Sequence, residues 1–295
     1  NIFQSLKFRM EFGHLNYKNT SSYFLPKVAQ QDWSEMGQPT FSTLQATESK
    51  YSTSTLDFQL LYNESWGKHS INAIAGYGTE RNRNHILSSF YEGFPDDDVL
   101  NNVGSATFAV SQSELIQRNG LNSFYTRANY GFLNRYFGEI SFRADKSSKF
   151  GPNNRWGYFP AFSAGWIINR ESLLKEQVWI DNLKLRASIG QTGSTNIDDF
   201  SYYQFYLSNG QYGGSSSIEL EDVLPNKGVR WEKTTEYNIG LDFSFFNHRL
   251  YGNVDLYLRN TNGALAPAPH IVESGLGTYF DNIIDLSNKG FEMSI

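Results

Sequence analysis

An all-β fold, and within that class an antiparallel transmembrane β-barrel, is predicted by three features of the chain: segments in which apolar and polar residues alternate with a period of two, connections that alternate between short and long, and aromatic residues at strand ends. About ten such strands are legible, fewer than a large barrel needs. The alternation is clean in Leu6, Phe8, Met10 and Phe12 against Lys7, Arg9, Glu11 and Gly13, and in Leu56, Phe58, Leu60 and Tyr62 against Thr55, Asp57 and Gln59. It returns in Tyr136, Gly138, Ile140 and Phe142 against Glu139, Ser141, Arg143 and Asp145, and in Leu183, Leu185, Ala187 and Ile189 against Lys184, Arg186, Ser188 and Gly190. Thr235, Tyr237, Ile239, Leu241 and Phe243 alternate with Glu236, Asn238, Gly240, Asp242 and Ser244; Leu250, Val254, Leu256 and Leu258 alternate with Tyr251, Asn253, Asp255 and Arg259. Each strand therefore has one apolar face and one charged or small face.

The connections follow in order. Short ones at 64–68, 131–135, 169–179 and 245–248 separate long ones at 18–47, 81–120, 146–156, 192–230 and 260–285. Tight turns on one side of a membrane and long loops on the other produce such an order, whereas a sandwich has no reason to alternate loop length with strand number. The ESWGK and FFNHR turns place rings where an aromatic girdle would sit. On pattern alone, a large soluble antiparallel β protein with an ordinary core stays open.

Composition narrows the field. The 295 residues include 16% aromatic residues and 25 glycines, yet the hydrophobic fraction is only 39% and the mean hydropathy is negative. No stretch approaches the roughly 18 consecutive apolar residues of a membrane-spanning helix, so a membrane location requires a closed sheet. The opening NIFQSLKFRM has no apolar run or cleavage site, so no signal peptide is expected within this chain. The absence of cysteine excludes a disulfide framework, a thiolate metal site and a cysteine nucleophile. A net charge of −5 offers no basic field, and nucleic acid is not expected as a partner.

Chemical motifs are sparse. His14, His69, His85, His248 and His270 are scattered and read as surface or turn residues rather than ligands. Ser172 and Lys175 have the spacing of a serine acyl-enzyme motif without its companion motifs. Asp96, Asp97 and Asp98 are the calcium candidates, because hard cations take carboxylate oxygens; no other cofactor is indicated. In the 192–230 connection, Tyr202, Tyr203, Phe205, Tyr206 and Tyr212 lie among Asn, Gln and Gly. Rings beside amides suit a sugar or a protein lid, and equally suit packing of loop on loop.

Several stretches resemble one family. SFRADKSSKFGPNNRWGYFPAFSAGW (141–166), NLKLRASIGQTGS (182–194), VRWEKTTEYNIGLDFSFFNHRLYGNVDLY (229–257), NKGFEMSI (288–295) and YNESWGKHSINAIAGYGTE (62–80) are similar to the barrel of SusC/RagA-type TonB-dependent outer-membrane transporters of Bacteroidota. The resemblance runs in family order along nearly the whole chain. It implies that residues 1–295 are an interior part of a 22-stranded barrel, with the N-terminal plug domain and the C-terminal closing strands outside this chain. Glu139, Arg143, Asp145, Lys184, Arg186, Glu236, Asn238 and Asp242 would then face the lumen, and the Gly-Pro-Asn-Asn loop would turn outward.

The resemblance further implies no enzymatic step. It implies energised import of oligosaccharides or peptides across the outer membrane, a SusD-like surface lipoprotein as lid, outer-membrane lipid around the wall, and the TonB–ExbB–ExbD complex acting through the plug. A passive porin or structural barrel is the alternative, followed by a soluble carbohydrate-binding β protein.

Overall fold

The computed structural model describes residues 5–27, 41–174, 176–204, 206–212, 215–220, 223–269 and 277–295. Thirteen strands follow in chain order: β1 (Leu6–Leu25), β2 (Thr43–Trp66), β3 (His69–Glu92), β4 (Phe108–Phe132), β5 (Tyr136–Ser147), β6 (Trp156–Ile167), β7 (Ile180–Ser194), β8 (Tyr206–Tyr212), β9 (Ser215–Leu220), β10 (Val223–Leu224), β11 (Glu232–Phe245), β12 (Leu250–Pro269) and β13 (Thr278–Ser294). One sheet has the order β1-β2-β3-β4-β5-β6-β7-β11-β12-β13-β10, and β8 and β9 form a separate hairpin. Ten of these strands form the antiparallel meander that the alternation predicts; β10 adds only Val223 and Leu224, parallel to β13. The described residues divide into two compact units.

The larger unit comprises Asn1–Glu11, Leu56–Thr79 and Gly120–Ile295. Its register stacks the apolar sets into rows. One row runs Ile140, Phe162, Ile189, Tyr237 and Leu258, and the next runs Gly138, Ala164, Ala187, Ile239, Leu256 and Phe291. All the large side chains of these rows are exposed, Ile239 to 58% and Phe291 to 61%. A sheet that leaves such rows bare in water is unstable, so this face needs lipid. The tight turns at the same end use left-handed backbone. Leu133 and Asn134 lie at φ 57° and 54° in the β4–β5 turn, and Phe246, Asn247 and His248 at 58°, 57° and 61° in the β11–β12 turn. Non-glycine residues there cost about 1–2 kcal/mol each. In the β11–β12 turn that cost is offset by a bond from the Phe246 amide to the Trp179 carbonyl and one from the His248 amide to Asp181.

At the other end, the long connections bury a true core of Phe150, Phe159, Ile197, Val229 and Trp231, flanked by Leu121, Leu265 and Phe280. The Gly-Pro-Asn-Asn loop is a hub here. Phe150 is fully buried, Lys149 donates to the carbonyls of Thr195 and Ile197, and Asn154 donates to the carbonyl of Lys227. Gly157 and Gly193 open the room for the rings, since a Cβ at either would collide with Phe159 and Trp231.

The smaller unit comprises Phe12–Thr55 and Glu80–Asn119. Polar side chains ladder across its strands: Asn82 joins Tyr51, Thr53, Glu80 and Asn119, Asn84 joins Gln117, and Glu48 bridges Lys18 and Lys50. Phe94 is buried against Phe24.

The connections differ from expectation in two respects. Segment 81–120 is largely strand, and the described parts of 18–47 and 260–285 begin and end in strand, because β2, β3 and β4 run 24, 24 and 25 residues and β1 and β12 run 20 each, more than the roughly 9–11 that cross a bilayer. Within the smaller unit polar residues such as Asn82, Asn84 and Glu48 interrupt the apolar sets, so the period-two signal ends while the strands continue. The β6–β7 connection, expected to be short, is longer than the β5–β6 connection expected to be long.

Candidate functional site: the polar face of the wall

Parity puts the side chains between the apolar rows on the opposite face. Glu139, Arg143 and Asp145 of β5, Lys184 and Arg186 of β7, and Glu236, Asn238 and Asp242 of β11 all share it. Pairing brings in Tyr125 of β4 opposite Arg143, and sets Asp255 opposite Gly240 and Arg259 opposite Glu236. The parity of Asp255 and Arg259 was legible within β12, whereas β4 gave no such signal, and which acid meets which base depends on register.

Arg186 is the centre. Its Nε donates to both oxygens of Asp242 at 3.0 Å, and its Nη2 donates to Asp255 Oδ2 at 3.0 Å. Two carboxylates on one guanidinium leave a local charge of −1, held by charge-assisted bonds in forked geometry. Gly240 makes the arrangement feasible, because a Cβ there would strike Asp255 and the guanidinium.

A second cluster centres on Tyr125. Its hydroxyl donates to Asp57 at 2.7 Å and accepts from Gln59 at 3.0 Å, while the Arg143 guanidinium lies 5.9 Å from the ring centre. Arg143 also donates to Asp145 at 2.7 Å and to Ser123 at 2.9 Å. Gly76 leaves space for the Tyr125 ring. Arg259 pairs with Glu236, and Arg127 lies 3.6 Å from Glu139.

Between these clusters, towards the tight-turn end, a cavity of about 610 Å³ is lined by Glu64, Glu139, Lys184, Arg186, Asn129 and Asn238, with Ser163, Ser188 and small residues. Its groups are charges of both signs, amides and hydroxyls, beside the side chains of Ile71, Tyr130 and Phe137.

The aromatic loop residues divide. Tyr202 is 5% exposed, packs on Tyr203 with ring centres 4.4 Å apart and accepts from Arg155 at 3.4 Å, so its ring belongs to loop packing. Tyr203 and Tyr206 are exposed. Phe205 and the side chain of Tyr212 lie outside the described residues, as does His270.

The calcium candidates do not converge. Asp96 accepts from the amides of Asp98 and Val99, which holds its carboxyl below the ordinary range. Asp97 accepts from the Lys27 amide. Among the described residues no three acids or histidines gather as a metal site. His69 hydrogen-bonds Tyr130, His85 pairs with Glu114, and His248 hydrogen-bonds Ser244.

An antiparallel sheet with exposed apolar rows on one face and ion-paired polar rows on the other is the wall of a transmembrane β-barrel. The comparisons specify which kind. Residues 2–295 match the family described as TonB dependent receptor-like, beta-barrel, and the chain belongs to that family. Its place is accordingly the outer membrane, and the family is one of receptors rather than enzymes.

The TonB-dependent receptor SusC of Bacteroides thetaiotaomicron is 36% identical over 84% of this chain and 25% of its own length. The TonB-dependent receptor P3 of Formosa agariphila is 28% identical over 98% of the chain and 29% of its own length. The structure described as that of the RagAB peptide transporter superposes with a TM-score of 0.83, covering 98% of the chain and 31% of its counterpart at 23% identity. The chain thus spans about a quarter to a third of each of these three relatives.

Proposed function

We propose that this chain forms part of the wall of an energised importer of oligosaccharides or peptides. The observation carrying this reading is the two-faced register: the face opposite the apolar rows would line a wet lumen, with Arg186, Asp242 and Asp255 fixed in it. In that reading a plug and closing strands lie outside this chain, and the TonB–ExbB–ExbD complex acts through the plug. A SusD-like lipoprotein covers the long-loop end, where Tyr203 and Tyr206 stand exposed for contact with nutrient or lid. The family membership and the SusC and RagAB likenesses support import; the nutrient class and the lid rest on this proposal.

The test is deletion of the gene encoding the full-length parent protein, followed by growth on defined oligosaccharides or peptides and affinity capture of the tagged transporter. Loss of growth on one nutrient class, restored by the gene but not in a strain lacking TonB, together with a co-purifying surface lipoprotein, is the expected result. Uptake that persists without TonB would instead make the protein a passive pore.

A further inference from the structure

We infer that the β6–β7 connection, residues 168–179, is a membrane-interface anchor that lies in the phospholipid headgroup layer at the tight-turn rim and inserts Leu173 and Val178 into the acyl boundary. The first support is direction. Tyr136 and Trp166 belong to the same row of the lipid face, and both donate to Glu171 Oε1, at 2.5 and 3.0 Å. The start of the connection is therefore tied to the lipid side, with Arg135 closing the clamp on Glu171 Oε2 at 2.9 Å. The end is tied to the same side: Trp179 packs on Phe245 and Phe246 at 5.6 and 6.0 Å, and Phe245 shares the parity of the apolar row. A connection held on the lipid side at both ends does not cross into the lumen.

The second support is exposure. Leu173 and Val178 are 88% and 89% exposed, the two highest values among the described large apolar residues. A water-facing turn has no use for them, whereas an interfacial segment places apolar side chains a few ångströms into the boundary between headgroups and acyl chains.

The third support is the backbone. Glu171, Leu174, Gln177 and Ile180 donate in succession to the carbonyls of Ile168, Glu171, Leu174 and Gln177, so part of the backbone is satisfied internally, as a segment leaving bulk water requires. Trp166, Trp179 and Tyr136 then stand at headgroup level with ring bodies towards lipid and polar ends engaged, Trp179 on Gln177. The residues that hold this segment, Tyr136 and Trp166 at its start and Phe245 at its end, belong to the apolar face of the wall, which singles out lipid as the occupant. This also accounts for a rim connection longer than its neighbours.

The test uses the full-length parent protein in phosphatidylcholine liposomes. This chain has no cysteine, so Leu173→Cys and Val178→Cys can each carry a fluorescent label once any cysteine elsewhere is replaced, with Lys68→Cys in the β2–β3 turn as the aqueous comparator. Nitroxides on shallow acyl positions are expected to quench labels at 173 and 178 several-fold more than the label at 68, and aqueous iodide to do the reverse. Equal iodide quenching at all three positions would overturn the inference. So would protection of 173 and 178 from both quenchers, which would mean that protein covers them.

Discussion

Phe150 and Phe291 are the same residue in one sheet protein, yet the first is fully buried in the core beneath the long connections and the second is 61% exposed on the wall. The core around Phe150, Val229 and Trp231 is closed by its own chain, so it behaves as the interior of a soluble protein and leaves a cavity when a side chain is removed. The rows holding Ile239, Leu256 and Phe291 are closed by lipid, which refills any space. The transfer free energy is similar in the two places; the packing contribution belongs only to the first. Sequence hydrophobicity does not distinguish them.

The largest effect that would expose this difference is Trp231→Ala, expected to cost about 3–5 kcal/mol because it removes an inserted ring and its bond to the Arg155 carbonyl. Hydrogen exchange on the folded parent protein should show the loss as deprotection confined to 146–156 and 192–231. If deprotection instead spread evenly through β11 and β12, the core would not be a separate cooperative region.

Next comes Ile239→Arg. A cation in the middle of the lipid-facing rows should cost about 2–4 kcal/mol, read from denaturant unfolding of protein refolded into vesicles. Leu256→Ala in the same rows should cost clearly less than an equal truncation in the core, since no cavity remains; an equal cost would remove the distinction drawn above.

A smaller effect is expected on the polar face. Asp242→Asn takes one charged acceptor from Arg186 and should cost roughly 1–3 kcal/mol, whereas Arg259→Gln, in a pair about half exposed on both sides, should cost less than about 1 kcal/mol.

The smallest is a pH effect at the rim. Glu171 is held below its ordinary 4.5 by the Tyr136 hydroxyl, then the Trp166 indole and the Arg135 charge. A depressed carboxyl stabilises the folded state above that ordinary value, and the contribution fades as pH falls through the lower folded value. The tether of the β6–β7 connection should therefore hold from neutral pH down to about pH 4.5 and loosen below it. Indole emission from Trp166 in the wild type against Glu171→Gln, whose response should be flat with pH, checks this.

The wall was legible because lipid imposes a strict period of two: Ile140, Ile189, Ile239 and Leu256 announce themselves, and with them the parity of Glu139, Arg186 and Asp242. The parts of β2, β3 and β4 that belong to the smaller unit were not, since Asn82, Asn84 and Glu48 are joined to other polar side chains and carry no alternation. Tyr202 and Tyr203, adjacent in the chain and alike in chemistry, could not be separated into a packed ring and an exposed one. Nor did three consecutive aspartates reveal that Asp96 accepts from amides of its own turn.

By itself the sequence determined the fold class, the apolar parity of β1, β2, β5, β7, β11 and β12 and, through its resemblance, the family, because each depends on local spacing and on residue type. Tertiary structure alone decided that Arg186 meets Asp242 and Asp255, that Trp231 fills the space over Gly157 and Gly193, and that Glu171 gathers Tyr136, Trp166 and Arg135. These partners come from separate strands or turns, and the register between strands, fixed by hydrogen bonds along their whole length, selects which of many equivalent side chains come within reach.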